Sequence, residues 1–166
     1  GALRQLGPRS GAGKMLRRLV HGVGYCEVLT AATHMEFLQQ VRSFGLPATA
    51  VPELVTVIRR HQPALHLPNV SVDVLARARA EGWRLGILTN GLPDVQARKV
   101  RALGLDRLVD VVVYAQEWGS GKGKPERESF DVVRARLDTP PALTVFVGDD
   151  PWCDIVGARS AGLHTI

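Results

Sequence analysis

Cysteine is scarce in this chain: Cys26 and Cys153 are the only two among 166 residues. They form no disulfide framework and match no zinc-ligand spacing, so a stapled secreted scaffold and a zinc ribbon are both excluded. Aromatic residues make up only 5%. They are not interleaved with the basic residues, which are scattered, and no nucleic-acid partner is expected. No apolar run approaches the ~18–20 residues that a membrane span needs. The start, Gly1 to Met15, is polar and glycine-rich and lacks the apolar stretch of a secretory leader. There is no internal repeat and no low-complexity tract. These absences point to a cytoplasmic protein with no membrane partner.

What is present suits a packed core. Hydrophobic residues account for 45% of the chain, and its length fits one α/β domain or a small core with a modest insert. The net charge of +5 is uneven: residues 1–66 hold 8 Lys/Arg against 3 Asp/Glu, while residues 67–166 hold 13 of each. A cationic segment over an acidic core would draw in an anionic substrate. A solvated helical face explains the same charges without one.

Composition shifts near residues 62–70, where two prolines interrupt the helical pattern. Before this point the spacing predicts helices over 30–43 and 52–61. After it, helices and strands alternate. Ser71 is placed to cap a helix ending at Gly82, and 84–88 reads as a strand. Pro93 opens a helix that stops at Gly104, and 109–114 is a strand. Pro125 opens a helix to about Leu137, and 143–147 is a strand. A helix over 155–161 ends at Gly162, and a last strand begins at His164. Short apolar strands alternating with helices of about 10–13 residues predict a parallel sheet with helical crossovers.

In open parallel sheets, ligands bind beyond the carboxyl ends of the strands. Three polar clusters fall at such ends: Thr89-Asn90-Gly91, Gly121-Lys122-Gly123-Lys124, and Gly148-Asp149-Asp150. Each has an ordinary explanation, as a helix cap, an exposed lysine or a turn. Together they bring a hydroxyl, an ammonium and carboxylates to one rim. The hydroxyl and nearby backbone N–H groups suit phosphate oxygens, the lysine suits its charge, and the acids suit a hard divalent ion such as Mg²⁺. Asp149, Asp150 and Asp154 lie within six residues, and a cation would relieve their mutual repulsion.

Two lookalikes fail. GPRSGAGKM at residues 7–15 has its glycines one residue too far apart for a phosphate-binding loop. Met15 also stands where the Mg²⁺-binding Ser/Thr would be. A receiver domain also uses Asp, Thr and Lys, but there the acidic pair comes first along the chain and here it comes last.

The clusters resemble the motifs of the haloacid dehalogenase superfamily. GILTNG is similar to its second motif, GKGKPERESF to its third, and VFVGDDPWCDIVGARSAGL to its fourth. The resemblance is close over 67–166. Residues 1–66 are more loosely similar to the helical cap of that family. It implies an α/β fold with a Rossmann-like parallel sheet, flanking helices and a helical cap segment. It implies that Thr89 binds the transferring phosphoryl group, with backbone contacts from Asn90 and Gly91, and that Lys124 neutralises nucleophile and phosphate. Asp149 would ligate Mg²⁺, with Asp154 and Asp150 supporting the metal site.

The family's first motif, Asp-x-Asp-x-Thr/Val on the central strand, does not occur in these 166 residues. It supplies the nucleophile and the general acid/base, and in the family it precedes the cap. It is therefore expected upstream of Gly1, and both ends of the chain read as cut. The implied function is an Mg²⁺-dependent phosphomonoesterase on a small phosphorylated metabolite, working through an aspartyl-phosphate in the complete protein; residues 1–166 alone are expected to be inactive. The alternatives are a non-catalytic phosphate- or partner-binding remnant and a 2-haloacid dehalogenase. Without the central strand, the strands at 84–88 and 109–114 should stand apart from those at 143–147 and 164–166. The slot would be filled by a segment upstream, by another chain in an oligomer, or by Val20–Leu29.

Overall fold

The computed structural model describes residues 51–166 together with Gly45, Pro47 and Thr49. The helix expected over 30–43 and the segment Val20–Leu29 lie outside the described residues. The chain divides into two compact units between His61 and Gln62. In the first, α1 spans Val51–Arg60. Its Val51 and Leu54 are buried, while Glu53, Arg59 and Arg60 are exposed. Apolar residues three apart with charges elsewhere make one face of an amphipathic helix.

The second unit alternates helix and strand as its sequence predicts. The helices are α2 (Asn69–Ala80), α3 (Pro93–Ala102), α4 (Arg127–Arg136) and the short α5 (Gly157–Ser160). The strands are β1 (Gly86–Thr89), β2 (Val111–Tyr114), β3 (Val145–Phe146) and β4 (His164–Thr165). β1 and β2 pair in parallel with Gly86 opposite Val111 and Thr89 opposite Tyr114. β3 and β4 also pair in parallel, with Val145 opposite His164. Among the described residues no backbone hydrogen bond joins the two pairs. The expectation that strands 84–88 and 143–147 do not bond directly therefore holds there. A groove of about 110 Å³ runs between them, lined by Gly86 and Leu88 on one side, Val145 and Phe146 on the other, and Val133 and Leu137 of the α4 region.

The core follows from the α4 pattern. Phe130, Val133 and Leu137 recur at helical spacing and are all buried, giving one apolar stripe. They pack with Leu88 and Val113 of the first strand pair, and with Ala158, Ala161 and Leu163 around α5. Phe130 is fully buried and meets Phe146 edge-on, with ring centroids 5.1 Å apart. Gly157 lets this ring in: a Cβ there would lie 2.8 Å from two Phe130 ring carbons.

Several element ends differ from the predicted ones. Ser71 does not cap α2; the helix starts at Asn69, where the Pro68 carbonyl accepts from the N–H groups of Ser71 and Val72. β1 begins at Gly86, because Arg84 turns to the Leu137 carbonyl at 2.6 Å and the Leu85 N–H donates to the Asp110 carboxylate at 2.7 Å. β2 begins at Val111, since the Val109 N–H still donates to Leu105 in a helical turn. Pro125 does not open a helix. It follows a cis peptide bond in a turn closed by the Glu126 N–H on the Gly123 carbonyl, and α4 starts at Arg127. The helix expected over 155–161 starts earlier as a π-helical turn, Pro151–Val156, which runs into α5.

Candidate active site

Thr89 is the last residue of β1, and the chain turns at once through Asn90 and Gly91 into α3. Gly91 has φ +116°, which side-chain-bearing residues rarely adopt. The Asn90 side chain reaches the next loop of the site. Its Nδ2 donates to the Lys124 carbonyl at 2.9 Å, and its Oδ1 accepts from the Lys124 N–H at 2.8 Å. One amide thus closes a two-bond bridge between the loop after β1 and the loop after β2. The backbone at Gly123 is crowded against it, for a Cβ there would lie 2.6 Å from Asn90 Oδ1.

The Lys124 ammonium points into the fold rather than to solvent. Its Nζ lies 2.5 Å from Asp154 Oδ1, with side-chain exposures of 12% and 7%. It also sits 5.5 Å from the centre of the Phe146 ring, within cation–π range. The other Asp154 oxygen accepts from the Asp150 N–H at 3.2 Å. Gly148 is needed here because a Cβ would collide with the Asp154 carboxylate. A buried charge pair of this kind holds only if both partners stay, since either alone would be uncompensated in low dielectric.

The three acids have separate positions. Asp150 caps the helical turn after it, accepting from the N–H groups of Cys153 at 2.7 Å and Trp152 at 2.8 Å. These bonds hold its carboxyl below the usual aspartate range. Asp154 is buried against Lys124. Asp149 is exposed and, among the described residues, has no hydrogen-bond or ion-pair partner. No group of three metal-ligating side chains is assembled among the described residues. Mg²⁺ commonly takes one or two carboxylates and completes its shell with water and substrate phosphate. Asp149 fits that role. Asp154 has both carboxylate oxygens engaged, by Lys124 and by the Asp150 N–H, whereas Asp150 is exposed and uses only Oδ1 for its cap. Burial pushes the Cys153 thiol up, away from the thiolate form in which cysteine attacks.

The sequence reading did not single out Gln96. It is 5% exposed, on the first turn of α3. Its Nε2 donates to the Thr89 hydroxyl at 3.0 Å and, in a very short contact, to the Asn90 carbonyl. The available signal was its place one turn after Pro93, where a helix entering behind a strand end faces back towards it. The sequence expectation also assigned Asn90 backbone contacts alone, whereas its side chain forms the bridge to Lys124.

The haloacid dehalogenase-like hydrolase family model matches residues 10–162. The chain belongs to that family. Among its curated relatives in the family, it is 37% identical over 122 residues to phosphoserine phosphatase of Thermus thermophilus, covering 74% of this chain and 48% of the relative. It is 31% identical over 143 residues to ribulose-1,5-bisphosphate 5-phosphatase of Halopiger xanaduensis, covering 82% and 59%. The chain thus spans about half the length of these relatives. Among solved structures, YfnB of Bacillus subtilis in a form bound to magnesium shares the fold at TM-score 0.63 and 21% identity, covering 92% of this chain and 65% of that one. The L-2-haloacid dehalogenase of Xanthobacter autotrophicus shares it at TM-score 0.59 and 22% identity, covering 93% and 59%. The α/β fold expected from the motifs is thus the fold of the family. No helix among the described residues is long and apolar enough to cross a membrane.

Proposed function

We propose that this haloacid dehalogenase-like chain is the cap and core of an Mg²⁺-dependent phosphomonoesterase that acts on a small phosphorylated metabolite. The observation that carries the reading is the bridge from Asn90 to Lys124. It ties the hydroxyl-bearing loop to the ammonium-bearing loop, with Lys124 seated on Asp154. The names of the relatives support it, since phosphoserine, ribulose bisphosphate and glyceraldehyde 3-phosphate are all small phosphomonoesters.

In this reading Thr89 donates its hydroxyl proton to a phosphate oxygen, and the backbone of Asn90 and Gly91 lines the same oxygen. Lys124 offsets the negative charge of phosphate and nucleophile, and Asp154 fixes where that ammonium stands. Asp149 holds Mg²⁺, while Asp150 and Asp154 shape the loop that presents it. The ion, when bound, supplies charge neutralisation at the phosphoryl oxygens. The nucleophile is an aspartate of the first motif, which residues 1–166 do not contain, so these residues alone bind phosphate without turning it over.

The test is a panel of phosphoserine, ribulose 1,5-bisphosphate and glyceraldehyde 3-phosphate, with and without Mg²⁺. It is run on residues 1–166 and on a chain that carries Asp-x-Asp-x-Thr upstream of Gly1. Phosphate release by the longer chain alone, dependent on Mg²⁺ and lost in Asp149→Ala, is expected. Release of chloride from 2-chloropropionate without any phosphatase activity would make it a dehalogenase. Turnover by residues 1–166 that is lost in Lys124→Ala would show that another group serves as nucleophile.

A further inference from the structure

Thr89 has one hydroxyl proton, and the acceptors near it decide where that proton goes. Among the described residues the competing acceptor is local: the Thr89 Oγ1 lies 3.3 Å from the Asn90 carbonyl. A proton spent there is not offered to a ligand. Gln96 stands at this point. Its amide nitrogen donates both to the Thr89 Oγ1 at 3.0 Å and to the Asn90 carbonyl, and an amide nitrogen has two protons to give. One proton fills a lone pair of the Thr89 oxygen, and the other satisfies the carbonyl that would capture the Thr89 proton. The backbone makes room for this. A Cβ at Gly91 would lie 2.9 Å from Gln96 Nε2 and would push the amide from this position. Gln96 is buried at 5% exposure, so water does not replace it cheaply.

Resting on the phosphatase reading above, we infer that Gln96 is a positioning residue that turns the Thr89 hydroxyl proton outward to a phosphate oxygen. It is placed to act through Thr89 rather than on the substrate itself. That distinguishes it from a residue that merely packs under the loop, because its effect must vanish once the hydroxyl is gone.

The experiment is a double-mutant cycle on binding of inorganic phosphate, measured by calorimetry in the presence of Mg²⁺, with wild type, Gln96→Met, Thr89→Val and the double variant. Methionine keeps the length of the side chain and fills irregular space without a donor. Gln96→Met is expected to weaken phosphate binding about ten- to a hundredfold, the size of one lost hydrogen bond to a charged group. Thr89→Val should do the same, and the double variant should bind no more weakly than Thr89→Val. Should Gln96→Met fail to fold, by near-ultraviolet circular dichroism, Gln96→Glu at pH 8 enters the same cycle, since it keeps the shape but accepts where glutamine donates. Unchanged binding in the Gln96 variant, or losses that multiply in the double variant, would overturn the inference and leave the phosphate site standing. Absence of phosphate binding in the wild type would overturn both.

Discussion

The two strand pairs have the same parallel geometry but different support. β1 and β2 share four register pairs, and Leu88 and Val113 from them are buried in the core. The Asp110 carboxylate, which accepts from the Leu85 N–H and pairs with Arg79 at 2.9 Å, pins the start of this half. β3 and β4 share only two register pairs. Val145 and Val147 of that half are exposed, and so is Leu143 in the 3-10 turn before β3, Leu143 and Val147 by about seven-tenths. Strand neighbours two apart face the same way, so the Val145 and Val147 side of β3 is bare among the described residues. The halves share one core cluster, and two further contacts join them. Phe130 packs on Phe146 in the core, and Lys124 pairs with Asp154 at the rim. Among the described residues, an ion pair and a ring contact link the two halves where no strand pairing does.

The contrast can be broken most forcefully at the ring. Phe130→Ala removes a fully buried side chain that serves both halves, and should cost about 3–5 kcal/mol in denaturant unfolding. An effect under 1 kcal/mol would mean that the halves do not depend on this contact. Next is the rim. Lys124→Ala leaves Asp154 buried without its counter-charge, and should cost about 3 kcal/mol, the low end for a buried pair because Lys124 keeps some exposure. A double variant that also carries Asp154→Asn should recover part of that loss.

A smaller effect tests the pin of the first half. The Leu85 N–H, and then Arg79, hold the Asp110 carboxyl below the usual aspartate range. A carboxylate lowered in the folded state stabilises it above the ordinary value of about pH 4, and the stabilisation is lost as pH falls through the lowered value. Asp110→Asn should therefore reduce the melting temperature at pH 7, and the gap from wild type should narrow on acidification below about pH 4. A gap that stays constant to low pH would remove the charge from the explanation. The smallest effect belongs to the bare face. Val147→Thr, at an exposed site, should change stability by no more than about 0.5 kcal/mol; a loss above 1 kcal/mol would show that the face is covered.

The alternation of elements was legible in the sequence because short β-branched runs and helix stops at Gly82 and Gly104 are local signals. Both glycines have the positive φ of helix ends. The positions of Thr89 and Lys124 were legible because each follows a strand. What was hidden depends on contacts between distant segments. Asp149, Asp150 and Asp154 look alike as a run of acids, yet one is exposed, one caps a helical turn and one is buried on Lys124, thirty residues away. Pro125 reads as a helix opener because proline suits the first helical position, but the turn that delivers Lys124 to Asn90 needs that stretch of chain first. Gln96 carried no motif; its role exists only once Gly91 has folded the loop back over it.

The Asn90 bridge also bears on how this protein ages. Asparagine followed by glycine is chemically labile, because the next backbone nitrogen attacks the side-chain carbonyl carbon and expels ammonia; Asn is among the thermolabile residues. Here both ends of the amide are already held by the Lys124 backbone, which keeps the side chain from swinging onto the Gly91 nitrogen. If the reaction occurs in an opened molecule, a carboxylate replaces the amide and the donor to the Lys124 carbonyl is gone. The damaged loop then has two acceptors facing each other, and a single such event leaves the two loops joined by one bond instead of two for the remaining life of that molecule.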